Sequence, residues 1–90
     1  MRVVEIAGQL KVSPDKLERE SLRIYLQLKL KEVETEIFQL GVKYGVKSVF
    51  ELDRFIKKGK VHEKETFEDF FELDALEAER KKFKKLLKKV

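Results

Sequence analysis

The chain has no cysteine, no tryptophan, no asparagine, a single proline and a single histidine, and these absences exclude several classes of protein. Without cysteine there is no disulfide staple. With only His62 there is no structural zinc site of the usual nitrogen and sulfur type. The four glycines, Gly8, Gly41, Gly45 and Gly59, are scattered at positions suited to turns or helix ends. They form no phosphate-binding loop, so nucleotide chemistry is not expected. No run of 18 apolar residues is present, which excludes a membrane-spanning helix, and the N-terminus lacks the basic-then-apolar layout of a secretory signal. A cytoplasmic location is the expectation.

Catalytic raw material is equally thin. Ser13, Ser21, Ser48, Thr35 and Thr66 read as helix caps or surface hydroxyls, and none lies in a G-x-S-x-G turn. His62 sits in a lysine and glutamate connector, where a solvated loop residue is the expected role. The acidic block from Glu63 to Glu79 lacks the alternating ligands and turn glycine of a calcium loop, and also lacks the Glu-x-x-His pairs of a helical di-iron site. A solvated helix face, with Glu77 pairing to Lys81 one turn on, is its plain account. The sequence therefore predicts a non-enzymatic protein with no metal and no cofactor.

What the chain does have is charge, in 42% of its 90 residues, 21 of them basic and 17 acidic. So high a charge content, with few labile side chains, fits a heat-adapted protein in which ion-pair networks are favoured, and predicts a hyperthermophilic source. The charge is segregated. Residues 63–79 hold eight acids against Lys64, whereas residues 80–90 hold seven bases and no acid. The basic tail places Lys81, Lys82, Lys84, Lys85, Lys88 and Lys89 on the side of a helix opposite Phe83 and Leu87. Such a face is either a solvated helix surface or a contact for nucleic-acid phosphates or an acidic protein surface.

The pattern of apolar residues predicts an all-α fold in one domain. Arg2-Val3-Val4-Glu5-Ile6-Ala7 is a β-prone run ended by Gly8, so residues 1–12 are expected as a short strand or an ordered arm. Ser13-Pro14 reads as an N-cap with proline at the first helical position. A helix then runs over 14–40, on the order of 40 Å long, ended by Gly41 and Gly45. A capping box, Ser48-Val49-Phe50-Glu51, opens a short helix over 48–58 in which Val49, Leu52 and Ile56 share a face. Thr66 caps a final helix over 66–89.

Two heptad-like seams stand out, Leu26, Leu30, Val33, Ile37, Leu40 in the first long helix and Leu73, Leu76, Arg80, Phe83, Leu87, Val90 in the last. They are expected to pair. The first long helix has a second apolar side near its beginning, formed by Leu17, Ile24, Tyr25 and Leu28. That side is either a central core segment or a self-association surface. A 90-residue chain buries only roughly 60 to 65% of its unfolded surface, and lacks staples, so assembly as a dimeric helical bundle is the favoured expectation. Phe67, Phe70 and Phe71 point about 160° away from the later Leu76, Phe83 and Leu87 face at helical period. With Leu73 they are the candidate anchors for a partner protein, against the plainer reading that they pack in the core.

The chain also resembles a group of small archaeal helical proteins suspected of being antitoxin components of toxin–antitoxin modules. The resemblance rests on the arm Val3-Val4-Glu5-Ile6, the helix opening Pro14-Asp15-Lys16-Leu17-Glu18-Arg19-Glu20-Ser21-Leu22, the segment Lys43-Tyr44-Gly45-Val46-Lys47-Ser48, and the stretch Phe67-Glu68-Asp69-Phe70-Phe71-Glu72-Leu73-Asp74. It implies a regulator that binds a toxin protein through helical surface, in some cases with a separate operator-binding segment. An arm followed by a helix is also similar to ribbon-helix-helix repressors. The uninterrupted helix from Pro14 to Leu40 departs from their two short helices, which leaves operator binding through Arg2 a secondary reading.

Overall fold

The computed structural model describes residues 2–59 and 64–90, which form four α-helices and, among these residues, no strand. They are α1 (Arg2–Leu10), α2 (Pro14–Tyr44), α3 (Val49–Lys57) and α4 (Lys64–Leu87). His62 and the connector residues 60–63 lie outside the described residues.

The expected strand or arm at the N-terminus is instead a helix. β-propensity is a context effect that needs a neighbouring strand, and none is present among the described residues. What residues 2–10 do meet is the side of α2, against which Ala7 is completely buried. A tight turn through Lys11, whose φ of 58° is left-handed, joins the two helices, with the Val12 N–H donating to the Ala7 carbonyl at 3.0 Å. The result is a helical hairpin.

The start of α2 follows the expected chemistry: the Ser13 hydroxyl accepts from the Lys16 N–H at 3.0 Å, with Pro14 in the first turn. Its end lies further on than the glycines suggest. Gly41 is inside the helix, because the helix is closed by Gly45 in the left-handed conformation, and the Val46 N–H returns to the Gly41 carbonyl at 2.9 Å. The return brings the Val46 carbonyl oxygen within 2.7 Å of where a Gly41 Cβ would stand. Gly41 is thus needed for close approach rather than as a terminator.

At 31 residues, α2 is about 46 Å long. Its second half pairs with α4 along the two seams, in the antiparallel direction, which the spacing leaves open. Val33, Ile37, Leu73 and Leu76 are buried together with Val46 and Leu52, and Leu40 and Phe83 pack on this cluster. The short α3 closes one side of the pair through Leu52, which is fully buried. Ser48 caps α3 by accepting from the Glu51 N–H, while the Glu51 carboxylate accepts from the Lys47 N–H rather than from Ser48.

Two expectations about α4 are corrected. The helix begins at Lys64, so Thr66 is not its cap; its side chain is buried in the first turn. Glu77 does not pair with Lys81, because its carboxylate accepts from the Val49 N–H at 2.7 Å and so satisfies a free donor at the start of α3. The molecule is a rod of 61 × 20 × 19 Å with a radius of gyration of 19.0 Å. A globular chain of this length has a radius near 12 Å.

Candidate interaction surface

Two features of the rod hold chemistry, a polar cluster that ties its helices together and an apolar surface that faces outward. The polar cluster lies where α2 ends and α4 begins. Lys43 Nζ donates to Glu65 Oε1 at 2.6 Å and to Asp69 Oδ2 at 2.7 Å, and the Tyr44 hydroxyl donates to the same Asp69 oxygen. Hydrogen bonds from Lys43 and Tyr44 hold the Asp69 carboxyl below the usual range, and the bonds to Asp69 and Glu65 push Lys43 up. Partial burial, then the bond to Asp69, raises the Tyr44 phenol. All three shifts favour the protonation states already present at neutral pH, so the cluster is a clamp and not a poised acid–base pair.

The clamp fixes a pH profile. A lowered Asp69 pKa means that its contribution is complete above about pH 4 and is lost as pH falls through the depressed value. Raised values at Lys43 and Tyr44 mean contributions complete below about pH 10 and lost as pH rises through them. Asp69→Ala is expected to cost about 1 to 2 kcal/mol at pH 7 and to flatten the acid limb of the stability curve. Chemical denaturation at pH 3 and pH 7 reads both, and an unchanged acid limb would remove the clamp assignment.

The aromatic cluster is divided by α4. Leu73, expected as a partner anchor, is only 1% exposed and belongs to the core, since it lies on the side of α4 that meets α2. Phe70 packs partly on that core and meets Phe71 edge-on, with ring centroids 5.3 Å apart. Phe67 and Phe71 turn outward, 42% and 67% exposed. Of the four expected anchors, two remain on the surface.

The second apolar side of α2 is also on the surface. Ile24, Tyr25 and Leu28 are exposed, whereas Leu17 is half-buried beside α1. Tyr25 lines an open apolar groove of about 490 Å³ between α1 and α2, shared with Val3, Ile6, Leu17 and Leu22. Val4 and Leu10 of α1, and Phe38 and Val42 of α2, are exposed as well and did not figure among the expected surface residues. The 7216 Å² of accessible surface exceeds, by about 1,700 Å², the roughly 5,500 Å² of a folded monomer of 10.7 kDa.

The six tail lysines, Lys81, Lys82, Lys84, Lys85, Lys88 and Lys89, are all exposed, and none takes part in an ion pair among the described residues. Among the described residues no three His, Cys, Asp or Glu side chains converge on a metal-sized site, and no helix is long and apolar enough to cross a membrane.

The family described as the uncharacterized protein MJ0235 family matches residues 1–90, and the chain belongs to it. No curated protein and no solved structure matches the chain.

Proposed function

We propose that this member of the MJ0235 family is a non-enzymatic, cytoplasmic protein-binding regulator of antitoxin-like type, working as a homodimer through its helical surfaces. The observation that carries the reading is the excess of exposed apolar surface. A small rod with Val4, Ile6, Leu10, Leu22, Ile24, Tyr25 and Leu28 all exposed around one end has more grease in water than a lone domain tolerates. The α1–α2 groove and the outward pair Phe67 and Phe71 are separate places for a second protein to bury aromatic and aliphatic side chains.

Co-expression with the product of a co-transcribed neighbouring gene tests this reading. The tagged chain is expected to retain that product, and Phe67→Ala with Phe71→Ala to lower retention at least tenfold. Unchanged retention would remove the anchor assignment, and the lack of any co-transcribed toxin-like gene in related genomes would overturn the antitoxin-like reading. The unpaired state of the six tail lysines favours one rival, a nucleic-acid-binding protein, whose signature is affinity that falls steeply with salt.

A further inference from the structure

Along the outer side of α2 lie Ile24, Leu28, Lys31, Thr35, Phe38 and Val42, spaced 4, 3, 4, 3, 4, the last two also bordering a groove shared with Val46 and with Arg80 of α4. This is the seam spacing of a coiled coil. All six are exposed, the four apolar ones by 64%, 54%, 71% and 65% in chain order. The two polar members suit burial in different ways. The Thr35 hydroxyl already donates to the Lys31 carbonyl at 2.9 Å, so no unsatisfied donor accompanies its methyl group into an interface. Lys31 makes no ion pair among the described residues and has a long stem that lets its ammonium reach the edge of a seam.

We propose that this face binds a second copy of the chain, with the two α2 helices antiparallel about a two-fold axis near residue 33. The inference rests on the self-association reading above and adds the face, the direction and the register. The order along the seam, two apolar, two polar, two apolar, reads the same from either end. Antiparallel pairing about residue 33 therefore sets Ile24 against Val42 of the partner subunit, Leu28 against Phe38 of the partner subunit, and Lys31 against Thr35 of the partner subunit. It also brings Lys31 beside Glu34 of the partner subunit, and Glu34 is exposed with no ion pair among the described residues.

The alternatives are worse matched. A parallel, in-register pair stacks Lys31 on the partner's Lys31. The flanking acids load both directions alike, because antiparallel pairing about residue 33 sets Glu32 beside Glu32 of the partner subunit and Glu34 beside Glu34 of the partner subunit, so the placing of Lys31 is what separates the two. An antiparallel pair slipped by one heptad sets Leu28 against the partner's Lys31 and Ile24 against the partner's Thr35. The accessible surface exceeds that of a folded monomer of this mass by about 1,700 Å² over the whole elongated chain, and burial of an α2 face between two copies would reduce that surplus.

The absence of cysteine makes site-specific spin labelling direct. Arg23→Cys and Glu36→Cys place a label on exposed positions outside the seam. Antiparallel pairing about residue 33 separates the two labels along the axis by about 30 Å at position 23 and about 9 Å at position 36. The measured distance is thus expected to be longer at 23 by about 15 Å once the lateral offset is included. Equal distances in a protein of dimeric mass would overturn the antiparallel register while leaving self-association standing, and a monomeric mass would overturn both. A charge exchange gives an independent check: Lys31→Glu is expected to weaken association at least tenfold, and adding Glu34→Lys to restore it. No recovery would contradict the pairing of these two residues.

Discussion

Leu73→Ala is expected to lower the free energy of unfolding by about 3 to 4 kcal/mol and the thermal midpoint by about 20 °C. Leu73 is 1% exposed and packed with Val33, Ile37 and Leu76, so the substitution empties a site that close-packed neighbours fill only in part. In a domain of this size the buried cluster is small, and its loss consumes a large share of a total stability on the order of 5 to 15 kcal/mol. Phe71→Ala is the matched control, because a side chain 67% exposed leaves little cavity, and a change within about 0.5 kcal/mol is expected. Thermal melts followed by circular dichroism read both. A small effect at Leu73 with a large one at Phe71 would reverse the assignment of core and surface along α4.

Leu28→Glu combined with Phe38→Glu is expected to weaken self-association at least a hundredfold while leaving helix content unchanged. Each copy presents both residues, so four apolar positions of the symmetric seam acquire charge, and the two new acids join Glu32 and Glu34 at its centre. Burying even one unpaired carboxylate costs several kcal/mol. The isolated fold is spared because both positions are exposed and glutamate is a good helix former. Sedimentation velocity paired with far-ultraviolet circular dichroism separates the two effects. Retained association would mean that another face, such as the one bearing Phe67 and Phe71, joins the copies.

Much of the architecture was legible because the long helices carry their period openly. The seams of α2 and α4 pair as their spacing dictates, and the caps at Ser13 and Ser48 form where their hydroxyls predict. The N-terminal helix was not legible, since Val3, Val4 and Ile6 carry a β-prone composition and only the tertiary contact at Ala7 decides their conformation. Gly41 misled for a related reason: it serves the return of Val46, and α2 runs on to Tyr44.

The surface was legible in part. Ile24, Tyr25 and Leu28 could be read as a second apolar side because they lie within one helical stretch, but Phe38 and Val42 extend that side past two polar positions at which the pattern looks broken. Leu73 reads both as a member of the α4 seam and as a partner anchor, and the seam position prevails, since it puts Leu73 with Leu76 in the core. The Lys43, Tyr44 and Asp69 clamp joins residues more than 20 positions apart, and no local spacing announces it.

Sedimentation equilibrium of the purified chain at micromolar concentration decides whether α2 has a face built for another molecule of the same chain. A mass twice the 10.7 kDa of one chain is expected. A single species of 10.7 kDa across the concentration range would contradict it.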